Sequence, residues 1–316
     1  MAQEQFDADV IIIGAGPTGL TAATYASREG LSTMVVEKAI AGGLAVITDQ
    51  IDNYPGFPDG ISGPELAERL EQQAIKFGAK MKLFTEVIEL KRIDDHLMLV
   101  TGAGELTARA VLIATGSSYK KLDVPGEQEQ IGKRIHFCAT CDGPLYRDKE
   151  IVVVGGGNSA VQEAVFLAKF ASKITMLVRA DHLKASEVLN EVLLKLPNVE
   201  VHYNVTTTSI SQDDAGKFSA INAHDTLKDE DVSFSPDGVF VFVGLLANTA
   251  AFTMSLAHDD RNFLLTDAHY QTELPGVFVA GDVRSGSTWQ IAAAVGEGAS
   301  AALAIREYLE GAEVSA

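Results

Sequence analysis

The chain has 316 residues, enough for one large or two ordinary domains, and 47% of them are apolar, so sizeable cores can form. Acidic residues outnumber basic ones 43 to 25 for a formal charge of −18, which argues against nucleic acid or an anionic membrane surface as a partner. No apolar run reaches the roughly 18 residues of a membrane span, and residues 1–9 lack the basic n-region of a signal peptide, so a cytoplasmic protein is expected.

Residues 10–13 are a short β-branched run that ends at Gly14-Ala15-Gly16-Pro17-Thr18-Gly19, and residues 20–26 follow with helical apolar spacing up to Gly30. This is strand, glycine turn and helix. Glycines permit the tight turn and let backbone N–H groups approach a pyrophosphate at the helix N-terminus. The next strand, residues 32–36, ends at Glu37, about 20 residues further on, where a carboxylate can accept from both hydroxyls of an unphosphorylated ribose. A dinucleotide site is expected, with FAD and NAD both open.

Ala41-Gly42-Gly43-Leu44 reads as a mobile glycine loop and residues 52–58 as a rigid turn-rich segment, either of which can be plain surface connection. Gly63 and Pro64 open an amphipathic helix through Lys76. Residues 82–87 and 96–100 read as a small antiparallel set. The run at 110–116, ending in Ala114-Thr115-Gly116, reads as a buried strand returning to the first sheet. Residues 117–127 are polar with a Pro-Gly turn and suit a crossing between domains.

Cys138 and Cys141 are the only two cysteines, in the stretch His136-Phe137-Cys138-Ala139-Thr140-Cys141-Asp142-Gly143-Pro144. A lone CxxC lacks the further ligands of a zinc site and suits a dithiol–disulfide couple in a reducing compartment. In such a pair the first thiol is usually the exposed attacking group and the second the shielded resolving one. Asp142 can give a proton to a leaving thiolate if burial raises its pKa, or it can be a turn residue. His136 is near enough to lower a thiol pKa, or it packs. The other histidines show no metal-ligand spacing, and no metal site is expected.

The strand, glycine turn and helix pattern repeats at residues 150–154, Gly155-Gly156-Gly157-Asn158-Ser159-Ala160 and 161–170, followed by a strand at 173–178. That strand ends at Arg179 instead of an acid, and Arg179 with Lys184 suits the 2′-phosphate of NADP. A buried strand is expected near residues 237–244. Another at 276–282 ends in Gly281-Asp282, whose carboxylate can accept from sugar or ribityl hydroxyls, and an Ala/Gly-rich helix is expected over 289–308.

GAGPTG, Gly42-Gly43, DNYPGF, ATGSS with LDVPGE, FCATCDG, GGGNSA, VFVG with Asn248-Thr249, and VFVAGDVRSGS occur in this order, and with them nearly the whole chain resembles the low-molecular-weight thioredoxin reductase family. The resemblance implies an α/β fold of two Rossmann-like, three-layer ββα dinucleotide-binding domains, the second inserted in the first. FAD would bind residues 1–117 with 246–316, and NADPH residues 118–245. By position, Gly14, Gly16, Pro17, Thr18, Gly19, Glu37, Gly42, Gly43, Leu44, Asn53, Thr115, Gly116, Gly281, Asp282, Trp289, Gln290 and Ile291 would meet FAD. Gly155, Gly157, Asn158, Ser159, Ala160, Arg179 and Lys184 would meet NADPH. Cys141 would lie next to the flavin, Cys138 would be the interchange thiol and Asp142 the acid. The implied activity passes a hydride from NADPH to FAD, then electrons to the Cys138/Cys141 disulfide and on to a thioredoxin-like protein. A homodimer and a rotation of the insert are implied as well.

The chain departs from the family pattern in several places. Ala180 replaces the second of two adjacent arginines after the second site's strand and Lys184 the last arginine, which leaves the 2′-phosphate clamp incomplete. NADH, reduced ferredoxin or a second flavin are the alternative donors, and a non-enzymatic redox sensor is the rival from another class. Leu44 stands for a usual Gln, Trp289 for a frequent Arg, and Ala247 for a frequent Pro. Trp289 would stack on a ring system or fill a dimer interface.

Overall fold

The computed structural model describes residues 6–48, 51, 53–94, 96–252 and 256–314. The chain divides into two compact units, Met1–Ser118 with Leu246–Ala316, and Tyr119–Leu245. No helix among the described residues is long and apolar enough to cross a membrane.

In the first unit β1 (Ala8–Ile13) is buried almost throughout. Its side chains alternate between two cores: Val10 and Ile12 join the helical side with Leu20 and Ile305, while Ile11 and Ile13 join Leu97, Leu99 and Phe252. This period-2 division between two apolar layers is what a continuous Val/Ile run encodes in a parallel strand. Helix α1 (Pro17–Arg28) follows the glycine turn, and β2 (Thr33–Val36) pairs parallel to β1 in the register Val10↔Thr33 to Ile13↔Val36. Residues 43–47 form a 3₁₀ helix in place of the glycine loop that the sequence suggests at 41–44. The Gly42 N–H donates to the Ala15 carbonyl at 2.7 Å, so the segment is tied to the first glycine turn.

Helix α2 (Gly63–Lys76) has the expected bounds, with the Ser62 hydroxyl accepting from the Glu65 N–H and Pro64 in its first turn. Strand β3 (Lys80–Lys82) adds parallel to β2. The meander β4 (Val87–Ile93), β5 (His96–Thr101) and β6 (Gly104–Ile113) is antiparallel, with its first strand at residues 87–93 and not at 82–87, and it belongs to the same sheet. Strand β6 alternates in burial over its first half and is wholly buried over its second. One edge of it pairs with β1. The other edge takes β5 along residues 104–108 and the returning strand along 111–113.

The outgoing and returning chains pair as a two-stranded ribbon, β7 (Ser117–Tyr119) with β16 (Leu245–Ala247). Between them lies the second unit. Strand β8 (Ile135–His136) leads into the short helix α3 (Ala139–Asp142), then β9 (Glu150–Val154), α4 (Asn158–Leu167), β10 (Lys173–Val178), α5 (Glu187–Leu194) and β11 (Val199–Tyr203). With β15 (Gly238–Val241) the strands form a parallel sheet in the order β11-β10-β9-β15-β8. An antiparallel layer of β12 (Val205–Gln212), β13 (Phe218–Asp225) and β14 (Glu230–Phe234) covers one face. Ile151 and Val153 pack on the helical side, Val152 and Val154 against Ile210 and Ile221 of that layer.

Back in the first unit, β17 (Val277–Val279) completes the seven-stranded sheet. Helix α6 (Ile291–Val314) starts two residues later than the composition predicts, because Trp289 sits at φ +53°, outside helical space. Any side chain on Gly298 of α6 would strike the Thr18 carbonyl of α1, so the two helix backbones are in close contact.

Candidate functional site

Cys138 and Cys141 are joined as a disulfide. Strand β8 delivers Cys138 in extended conformation to the N-cap of α3, where its Sγ accepts the Cys141 N–H at 3.2 Å. Both cysteines are half-buried, so local burial does not separate an exposed thiol from a shielded one. Asp142 closes α3, its N–H donating to the Cys138 carbonyl at 3.1 Å. Its Oδ2 lies 3.4 Å from Nδ1 of His136. The other imidazole nitrogen, Nε2, is 2.7 Å from the Tyr146 hydroxyl. Burial, outweighing the nearby Arg134, pushes the Tyr146 phenol up to about 12. Phe137 stacks on Tyr119 with centroids 5.0 Å apart.

The first glycine turn is a cradle with no room for side chains. Gly14 takes φ +107° with its missing Cβ directed at the Ala114 carbonyl, and a methyl on Gly19 would meet the Gly14 carbonyl. Gly16 opens α1 without a side-chain cap, and Pro17 occupies the first turn, so the helix N-terminus is free to receive an anion. Gly43 approaches this turn closely, and Leu44 is half-buried beside it. Glu37 braces the turn: Oε2 accepts the Ala15 N–H and Oε1 the Ala39 N–H, both at 2.9 Å. Each oxygen keeps a second lone pair for a hydroxyl.

The strand end after β17 adds Gly281, packed on Thr18, and Asp282. Asp282 Oδ1 is buried and has no hydrogen-bond partner among the described residues. Burial, with the Glu297 carboxylate second, pushes its pKa up to about 6. Glu297 accepts the Gly281 N–H at 2.8 Å and grips Arg284 through two bonds of 3.0 and 2.6 Å. The Asn53 amide donates to Gln290 at 3.1 Å, directly before Ile291 opens α6. Thr115 and Gly116 serve the chain crossing: the Thr115 hydroxyl donates to the Asn248 carbonyl at 2.7 Å, and the Asn248 N–H donates to the Gly116 carbonyl at 3.1 Å. Trp289 has its ring under the Arg261 guanidinium at 5.1 Å and against Phe263 at 5.7 Å, with Nε1 buried and unpartnered among the described residues. A Cβ-less cradle, an uncapped helix end and a buried carboxylate oxygen awaiting a donor fit a dinucleotide with hydroxyl groups.

The second turn repeats the design. Gly155 has φ +141°, and a methyl there would come within 2.9 Å of Ala160, which is buried against β9. Gly157 opens α4 uncapped, with open space around it. Asn158 holds the Ser186 N–H at 2.8 Å, Ser159 is exposed, and the Lys184 N–H donates to the Gly156 carbonyl at 2.7 Å. Arg179 and Lys184 are both exposed. Between them Asp181 pairs with His182 at 2.6 Å, which holds its carboxyl below the usual range. No group of three or more metal-ligating side chains occurs among the described residues.

Tyr146, Asp181, Arg261, Arg284 and Glu297 are neighbours of these sites that the sequence reading does not single out. Asp181 alone had a local signal, since it lies inside the expected phosphate clamp.

A profile of the pyridine nucleotide-disulphide oxidoreductases matches residues 8–298. A thioredoxin reductase of Bacillus subtilis is 41% identical over 302 residues, covering 96% of this chain and 95% of that one. One from Treponema pallidum is 38% identical over 304 residues, covering 96% and 98%. Among solved structures, thioredoxin reductase from Streptococcus pyogenes superposes with a TM-score of 0.89 at 36% identity, covering 96% of this chain and 98% of that one. The enzyme from Giardia duodenalis gives 0.88 at 31% identity, covering 97% and 100%. With matches of this extent, the chain belongs to the pyridine nucleotide-disulphide oxidoreductases, in their low-molecular-weight thioredoxin reductase family.

Proposed function

We propose that the chain is a thioredoxin-disulfide reductase, a cytoplasmic homodimer that uses FAD and a nicotinamide donor to reduce the disulfide of a thioredoxin-like protein. The observation that carries this reading is the chain's one cysteine pair, disulfide-bonded at a helix start, in a chain with two uncapped glycine turns of dinucleotide type.

FAD would be held by the backbone of Gly14, Gly16, Pro17, Thr18 and Gly19, by Glu37 on a ribose and by Asp282 on the polyol chain, with Gly42, Gly43, Leu44, Asn53, Trp289, Gln290 and Ile291 around it. The nicotinamide coenzyme would sit on Gly155, Gly157, Asn158, Ser159 and Ala160. When bound, the flavin supplies the conversion of a nicotinamide hydride into the electron pair that opens a disulfide.

The protein's own sulfurs do the rest. Cys138–Cys141 takes up two electrons and two protons to become a dithiol. The Cys138 thiolate, favoured by the Cys141 N–H that points at its sulfur, attacks the partner's disulfide. A Cys138–partner S–S bond forms and one partner sulfur leaves as thiolate. Cys141 then attacks Cys138, restoring the internal disulfide and releasing the second partner sulfur. Asp142 is the acid that protonates the departing sulfur. Anaerobic titration should bleach the flavin's visible absorbance with a pyridine nucleotide, and Cys138→Ser should abolish thioredoxin reduction while leaving that bleaching intact. A colourless protein, or full turnover by Cys138→Ser, refutes the reading.

The exposed Asp181 carboxylate beside Ala180 favours a second reading of the donor. A negative group and a missing guanidinium both disfavour a 2′-phosphate, so NADH competes with NADPH here. Comparing kcat/KM for the two coenzymes, with reduced ferredoxin as a third arm, decides the donor.

A further inference from the structure

Beside the cysteine pair lies a buried imidazole that the exchange steps above leave without a role. His136 ends β8 with its side chain only 7% exposed. Its ring packs at 5.3 Å from both Phe240 and Tyr146, so it has no access to bulk water through those faces. Yet both nitrogens face polar groups: Nδ1 is 3.4 Å from Asp142 Oδ2, and Nε2 is 2.7 Å from the Tyr146 hydroxyl. A buried ring that is merely packing needs one partner for its N–H. This ring is matched to two groups, one of which is the acid of the exchange reaction.

We propose that His136 is the positioning and proton-storing residue of the disulfide reaction: it orients the Asp142 carboxylate and supplies the proton that Asp142 hands to a departing cysteine sulfur. The inference rests on the reading of Asp142 as the acid.

The proton balance closes without an external reagent. As the electron pair opens the Cys138–Cys141 bond and one sulfur departs, the His136 Nδ1–H bond breaks and its proton passes to the Asp142 carboxylate, and the Asp142 O–H bond so formed breaks in turn as an S–H bond forms. The imidazolium becomes a neutral ring with its remaining proton on Nε2, toward Tyr146. When the dithiol is spent on a partner, the released proton returns by the same path. A hydroxyl both donates and accepts, so Tyr146 keeps Nε2 paired whether or not that nitrogen carries a proton. With its phenol pushed up to about 12, Tyr146 remains O–H throughout and ends the path. The charged groups facing this cluster are Asp142 on the Nδ1 side, and Arg134, Asp237 and Lys149 around Tyr146. Phe240 of β15 contributes only an apolar face.

The test uses the flavin-loaded full-length enzyme, reduced anaerobically. Two quantities are followed against pH: the rate at which Cys138 is alkylated by iodoacetamide, read by mass spectrometry, and thioredoxin turnover. The wild type is expected to show an inflection in both beyond that of the thiol. His136→Asn keeps a donor at the Nδ1 position but cannot store a proton, so its inflection should vanish while KM stays unchanged and kcat falls about tenfold. His136→Phe removes both roles and should fall further, toward about 100-fold, the lower range for a lost general acid. Tyr146→Phe leaves the imidazolium Nε2–H bare and should move the inflection to lower pH; it carries the test alone if the His136 variants do not load flavin. Wild-type profiles in His136→Asn and Tyr146→Phe overturn the proposal. Failure of the unmodified enzyme to reduce thioredoxin overturns instead the function on which it rests.

Discussion

Asp282 offers a quantitative test, because its burial has a pH signature with a definite sign. The carboxyl is pushed from the ordinary 3.8 to about 6, first by burial and second by Glu297, and its Oδ1 lacks a partner among the described residues. The folded protein therefore binds this proton more tightly than the unfolded chain. Stability falls as pH rises from about 4 to about 6, and the full penalty is in place above that window. The difference between 3.8 and about 6 corresponds to about 3 kcal/mol. Asp282→Asn copies the shape of the neutral acid. Flavin-stripped Asp282→Asn protein is expected to be more stable than wild type by up to about 3 kcal/mol at about pH 8, and equal to it at about pH 4. Urea unfolding followed by fluorescence reads the unit concerned, since Trp289 is the only tryptophan. The same variant should hold FAD more weakly, because a carboxylate that accepts from a ligand hydroxyl is replaced by an amide. A stability gap that is the same at both pH values refutes the reasoning.

Three further outcomes follow from the same geometry. Arg284→Met should cost about 3 kcal/mol by stranding the Glu297 carboxylate, whose side chain is 11% exposed, and adding Glu297→Gln should recover part of that loss; a double-mutant cycle in urea that proves additive contradicts the pairing. Gly19→Ala should give protein with flavin occupancy down at least about tenfold by absorbance, because the new methyl meets the Gly14 carbonyl, a backbone group that cannot rotate away. Ala180→Arg should raise the NADPH-to-NADH ratio of kcat/KM by about 10- to 100-fold, the worth of one charge-assisted phosphate contact.

Local chemistry makes much of this protein legible from its residues alone. Continuous Val/Ile runs read as buried strands, glycine turns between a strand and a helix read as phosphate turns, and Gly63-Pro64 announces the start of α2, whose Ser62 cap shows only in the structure. The cysteine pair is equally plain, because two thiols three positions apart can meet within one turn. What sequence order conceals is every feature built from positions distant in the chain. The antiparallel layer of β12 to β14 mixes Thr, Ser and Asn with its apolar residues, and only its burial against Val152 and Val154 distinguishes it from surface. Only the second half of strand β6 is legible in the sequence, because its first half alternates in burial and its second half is wholly buried. Glu297 reaches Gly281 and Arg284 by folding α6 back onto the strand end. Tyr146 and Asp142 converge on one imidazole from α3 and the turn after it. Propensity and periodicity are properties of neighbours along the chain. Burial, and the hydrogen-bond partners that burial makes obligatory, are decided only when separate elements close over one another.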